Sequence, residues 1–362
     1  MSPNADERLR SAARRVARRA GALLDRRSGV VQANVPRLRL AATAPATPTV
    51  WMITPDWNKP SGGIRKQYHA VDVLNAAGHP AAVVHERRGF RCSWFEHATT
   101  IVAAADVELG PRDVIVVPEI YWPSIRRLPR GIRQVIYNQN AYLTLDALAA
   151  AGPAAAAAYV GNPDLGLVAV VSDENAEVLS HAFPDVPIAR VRHSIDEALH
   201  HPGAEARPRR IAYMPRRRGE EARQVLELLR LRGALQGWEV VPIEGRSETE
   251  VAELLRTCRI FLSLSEREGF GLPPCEAIAC GCLVVGFDGF AGREFFQPPF
   301  ARSVENGDVL ALARALEALM VETESDPAAA RAHAEAGVRF VRERYSAEAE
   351  RQDLVAAFAP PA

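Results

Sequence analysis

The segment Phe261 to Cys282, FLSLSEREGFGLPPCEAIACGC, admits few local structures. The apolar run Ile260 to Leu264 has the length and composition of a buried strand, which Ser265-Glu266-Arg267 ends. Gly269 and Gly271 space a turn, and Pro273-Pro274 open an Ala-rich helical stretch. Proline suits the first turn of a helix, where its missing N–H leaves no bond unmade, so the helix is predicted to begin near Pro273 or Pro274. Strand, loop and helix in this order aim unpaired N–H groups and the positive end of the helix dipole at the strand's carboxyl end. An anion fits there, phosphate first. Glu268 stands on the loop and Glu276 in the predicted first turn. A carboxylate at Glu276 gains from the dipole, and it also offers acceptors to paired hydroxyl groups.

The same alternation runs through most of the chain. Apolar runs at Val50–Thr54, Ala81–His85, Val114–Pro118, Gln134–Tyr137 and Val168–Ser172 are separated by helical stretches such as Tyr68–Ala77. Runs buried on both faces predict a parallel sheet with crossover helices. A Pro- and His-containing segment, 196–209, reads as a hinge, after which Arg210–Met214, Glu239–Ile243, Ile260–Leu264 and Val284–Phe287 repeat the pattern. The fold class is therefore α/β with two Rossmann-like domains, 49–195 and 210–340. Residues 1–48 form a basic arm and linker, and 341–362 a C-terminal helical stretch. At 362 residues the chain is long enough for two domains of ordinary size.

The spacing of Glu268 and Glu276, seven residues between them inside EGFGLPPCEAIACG, resembles the Glu-seven-Glu signature of retaining GT-B glycosyltransferases of the family 4 type. Gly62-Gly63, followed by a helix with Leu74 and then Gly78-His79, resembles the N-terminal opening of the same family. The resemblance covers most of 49–358. It implies a GT-B architecture, two Rossmann-like domains facing each other across a cleft, with the C-terminal helix of 341–362 crossing back to the first domain. It also implies transfer of a sugar from a nucleotide diphosphate donor to an acceptor hydroxyl with retention of configuration, in bacterial glycan or glycoconjugate synthesis. The donor base is UDP, dTDP or GDP, and the acceptor a glycan or lipid-linked intermediate. Glu268 would touch the transferred sugar and Glu276 the ribose. Gly62, Gly63, Ser265, Gly269, Phe270, Gly271 and Leu272 would complete the donor site.

The family has a Gly-Arg, with a Lys five residues on, after the first strand of the second domain. Here Pro215-Arg216-Arg217-Arg218 stands there, and Glu221 occupies the lysine position. Guanidinium is permanently cationic and chelates phosphate through two bonds, so Arg216 first and Arg218 next are expected to grip the diphosphate, although a solvated basic turn has the same composition. At the strand ends of the first domain Tyr121, Asn138, Gln139 and Asn140 are acceptor-side candidates, and such amides equally cap helices. No two aspartates stand two apart, so no Asp-x-Asp is present to hold a metal on the diphosphate and no metal is expected. A GT-B epimerase, a phosphorylase and a non-catalytic nucleotide-sugar-binding or scaffold protein share these features.

Net charge is zero, so no global field points to nucleic acid. Cys92, Cys258, Cys275, Cys280 and Cys282 form no zinc-type spacing and read as buried small hydrophobes; with no leader visible, a cytoplasmic location is expected. No run offers the ~18 to 20 strongly apolar residues of a membrane span. The arm carries eight arginines between Arg8 and Arg27, with Leu9, Ala13, Val16, Ala20, Leu23 and Leu24 at helical spacing. It reads either as a peripheral membrane-surface helix or as a solvated tail. Truncation before Ala41 distinguishes them in vesicle co-sedimentation: weaker partitioning onto anionic vesicles is expected of a surface helix, and unchanged partitioning of a tail.

Overall fold

The structure, a computed structural model, describes residues 34–360 apart from 44–46, 123, 152 and 204–206; most of the basic arm lies outside the described residues. The chain divides into two compact units, one extending to Val191 and taking up again from Arg351, the other Arg192–Glu350.

In the first unit, nine strands are described: β1 (Arg39–Leu40), β2 (Val50–Ile53), β3 (Ala81–His85), β4 (Ile101–Ala103), β5 (Glu108–Leu109), β6 (Val114–Pro118), β7 (Arg133–Asn138), β8 (Leu165–Val170) and β9 (Ile188–Arg190). Seven of them form one sheet in the order β4-β3-β2-β6-β7-β8-β9, with every neighbouring pair parallel. β3 and β6 are buried along their whole length, which is why they read as unbroken apolar runs.

Two boundaries differ from the sequence-based expectation. The unit begins before Thr49: Val35 packs in its core and donates its N–H to Ser124 Oγ at 2.7 Å, and β1 pairs with β5. At the chain's end, within the same unit, buried Phe358 meets Tyr137 edge to face at 5.2 Å and Arg133 donates to the carbonyls of Ala357 and Ala359. The expected hinge, 196–209, falls within the second unit.

The second unit has β10 (Arg210–Tyr213), β11 (Glu239–Pro242), β12 (Ile260–Ser265), β13 (Leu283–Asp288) and β14 (Ala301–Ser303), all parallel in the order β11-β10-β12-β13-β14. Its helices start where the sequence supplies caps. Ser247 and Glu250 form a reciprocal capping box on Glu248–Thr257, worth about 1 kcal/mol. All five cysteines are buried and none forms a disulfide, and burial pushes the Cys258 and Cys280 thiols up to about 11 and about 12.

Glycine is required at one point in this sheet. Gly286 lies opposite Ser263, has φ 145°, and a Cβ there would stand 2.0 Å from the Ser263 carbonyl oxygen. Neither backbone can yield without breaking the β12–β13 ladder. Gly286→Ala is expected to destabilise the second unit by about 2 to 3 kcal/mol, read as a lowered urea midpoint; an unchanged midpoint would contradict this packing.

Candidate functional site

In an open parallel sheet, ligands bind beyond the carboxyl ends of the strands where the strand order reverses. In the second unit the reversal lies between β10 and β12. The loop after β10 carries Arg216, Arg217 and Arg218, and the loop after β12 carries Glu266 to Gly271. Topology alone thus brings together two stretches about fifty residues apart in sequence.

The β12 loop is held from three sides. Gly271, in the left-handed region at φ 92°, lets the chain turn into the Leu272–Ala279 helix, with proline in its first turn. Glu268 donates its N–H to the Gly289 carbonyl at 3.1 Å, and a Cβ at Gly289 would lie 2.6 Å from the Glu266 carbonyl oxygen. Phe270, expected at the donor, is instead enclosed: its ring meets Tyr345 at 5.1 Å, Phe295 at 5.3 Å and His193 at 5.6 Å. Aromatic packing draws it inward, so it anchors the loop. Gly269 is buried beside it, and Ser265 ends β12 with its hydroxyl 3.2 Å from that of Ser263.

Glu276 corrects the predicted register. The helix begins at Leu272, so Glu276 stands in its second turn, 8% exposed.

The three arginines have three different environments. Arg217, which sequence reasoning passed over, pairs with Glu268 at 2.8 Å. Arg218 donates to Glu221 at 3.2 Å and lies over the Phe287 ring at 5.0 Å. The carboxylate at the family's lysine position is therefore occupied by an arginine. Arg216 is exposed and makes no hydrogen bond or ion pair among the described residues. Surrounding atoms lower its pKa first and Arg217 adds repulsion, while Glu268 opposes both. Arg216 and Arg217 together present positive charge beside Glu268, a surface that an anion would neutralise. No local sequence signal separates Arg216 from Arg217; only the loop's path does.

In the first unit the reversal lies between β2 and β6. Gly62 and Gly63 open the Gly62–Ala76 helix behind the N-cap Ser61. Gln139 donates its Nε2 to the Gly63 carbonyl at 3.2 Å, and a Cβ on Gly63 would fall 2.3 Å from Gln139 Oε1. Two residues picked separately from the sequence thus touch. Asn140 accepts the Tyr142 N–H at 3.0 Å and caps the Ala141–Ala151 helix. Tyr121 and Asn138 are corrections: both are enclosed, Tyr121 in the apolar core and Asn138 donating to Thr144 at 2.7 Å and to Tyr159 at 3.2 Å.

Glu119, directly after β6, was not singled out by the sequence. Its carboxylate accepts the Gln139 N–H at 3.0 Å, and full burial pushes its pKa up to about 7. An acid whose pKa is raised on folding is most favourable to the fold while protonated in both states. Stability is therefore full below the unfolded pKa near 4.5 and falls as pH rises through about 7. The loss is on the order of 3 kcal/mol. Glu119→Gln keeps an acceptor and cannot ionise, so urea midpoints at pH 5 and pH 8 should differ less in the variant than in wild type; equal differences would place the proton elsewhere.

Residues 223–336 match the family model "Glycosyl transferases group 1". An alpha-1,6-glucosyltransferase of Actinobacillus pleuropneumoniae serotype 7 is 24% identical over 201 residues, 54% of this chain and 59% of that protein, so the match spans about three-fifths of that relative. Sucrose-phosphate synthase of Thermosynechococcus elongatus aligns with a TM-score of 0.62 over 84% of this chain and 96% of that one, at 15% identity. Anabaena HepE in complex with UDP aligns with a TM-score of 0.59 over 84% and 98%, at 12% identity. The fold is that of the GT-B glycosyltransferases. Among the described residues, no helix is long and apolar enough to cross a membrane.

Proposed function

We propose that this chain, a GT-B protein whose residues 223–336 carry the glycosyl transferases group 1 segment, transfers a sugar from a nucleotide diphosphate donor to an acceptor hydroxyl with retention of configuration. The observation that carries the reading is the β10/β12 reversal, which has Arg216 and the Arg217–Glu268 pair on its two loops and the start of the Leu272–Ala279 helix after the second. The chemical task is to stabilise a departing diphosphate and a short-lived oxocarbenium-like centre. Arg216 and the helix N-terminus supply positive potential for the diphosphate. The donor displaces Arg217 from Glu268, which frees that carboxylate to orient the transferred sugar, and Glu276 accepts from the ribose. A phosphate oxygen of the leaving group takes the acceptor's proton on the same face. Gln139 and Asn140 in the first unit are assigned to the acceptor, a bacterial glycan or lipid-linked intermediate.

A UDP-sugar is the first donor to test, because UDP is the ligand of the HepE neighbour. A thermal-shift panel of UDP, dTDP and GDP and their sugars should show one stabilising base. At a hundred times its dissociation constant a ligand adds about 2.7 kcal/mol, so the shift is readily measured. Glu276→Ala and Arg216→Ala should abolish it, and no shift with any nucleotide would sink the reading. NMR of the product should show the donor's anomeric configuration.

One observation favours a second reading, a nucleotide-sugar-binding protein without turnover: Glu221 consumes the charge of Arg218 at the position where the resembling family has lysine. Slow release of free sugar from the donor in the absence of acceptor is expected of a transferase. Binding without any such release would favour the second reading.

A further inference from the structure

We propose that His200, Glu248 and Glu276 form a binding site for a divalent transition-metal ion. The site shares Glu276 with the donor reading above but rests on the geometry of the second unit alone.

His200 is 3% exposed, and neither of its ring nitrogens has a hydrogen-bond partner. Burying an imidazole in that state is costly, and a buried polar group without a partner calls for an explanation. Glu248 is the first residue of the Glu248–Thr257 helix, and Glu276 lies on the neighbouring Leu272–Ala279 helix. One ring nitrogen of His200 and one carboxylate oxygen from each glutamate all lie within 4.8 Å of one another. Ligand atoms bound at ~2.0–2.2 Å in tetrahedral geometry stand about 3.3 to 3.6 Å apart, so side-chain shifts on the order of 1 Å draw the set onto one ion.

The donor chemistry selects the ion. One imidazole and two carboxylates suit zinc, cobalt, iron or manganese, whereas magnesium and calcium favour oxygen-only sets with water. Two carboxylates this close repel each other. A divalent cation meets both carboxylates and uses a nitrogen lone pair that nothing else occupies. The three residues are 48 and 28 positions apart, which is why no metal-binding spacing is visible in the chain. The site is also distinct in chemistry from the ion that an Asp-x-Asp would hold on a diphosphate. An ion bound here would hold the Glu276 carboxylate and so compete for the group assigned to the ribose.

The test uses the full, untagged chain, stripped with EDTA and desalted. Titration with cobalt(II) should give visible d–d absorption saturating at one equivalent. His200→Ala and Glu248→Gln should each weaken cobalt binding at least ~10- to 100-fold, with thermal midpoints in EDTA showing that both variants are folded. No absorption beyond aqueous cobalt in the wild type, or unchanged affinity in both variants, would overturn the site. UDP titrated into the same stripped protein separates the two readings. UDP binding with a silent cobalt titration overturns the metal site and leaves the donor reading intact. Cobalt binding without UDP binding supports the metal site while the donor reading fails.

Discussion

Parallel strands are joined only by crossovers, and right-handed crossovers keep to one face of the sheet until the strand order reverses. Each unit has one such reversal, between β2 and β6 and between β10 and β12. There the outgoing loops part to opposite faces and leave backbone ends and side chains uncovered. The glycines at 62 and 63, Glu119, the arginine run and the Glu268 loop all stand at one of these two places. Their chemistry differs, but their position has one cause.

The arginine run shows how a loop distributes identical charges. Three adjacent guanidinium groups have the same sequence context to within two residues. One is neutralised by Glu221 and a ring face, one is paired with Glu268, and one is left exposed. Ion pairs in contact with solvent are worth little to stability, about 0 to 1 kcal/mol, and Arg217–Glu268 is only partly covered, so exchanging it for another contact costs little.

The sequence makes legible what burial makes periodic. The central strands Val114–Pro118 and Ile260–Leu264, the Ser172 and Ser247 caps and the glycine-spaced turn before Pro273 each leave a local composition signal, and the fold followed from them. Edge strands did not: Ile101–Ala103, Ile188–Arg190 and Ala301–Ser303 have three residues each and are only partly buried, too short for any period to show. Residues 34–41 carry no such signal, because their partners, Ser124 and β5, are far away in sequence. In the site, residue types were legible and directions were not. Nothing local says that Phe270 and Asn138 turn inward, that Arg217 rather than Arg216 meets Glu268, or that His200 lies near Glu276.

The Gly289 contact has a consequence for how such a site can change. Its carbonyl takes the Glu268 N–H, and its missing side chain leaves room for the Glu266 carbonyl and the Glu268 Cγ. Next to it Phe290, a non-glycine residue at φ 66°, is pinned by its N–H to Asp288 Oδ1 at 2.7 Å, and Asp288 in turn accepts from Ser303 at 2.6 Å. The orientation of Glu268 is thus set by a lever that ends on the edge strand β14. A substitution at Ser303 therefore acts on the Glu268 loop from a distance, without altering any residue of that loop.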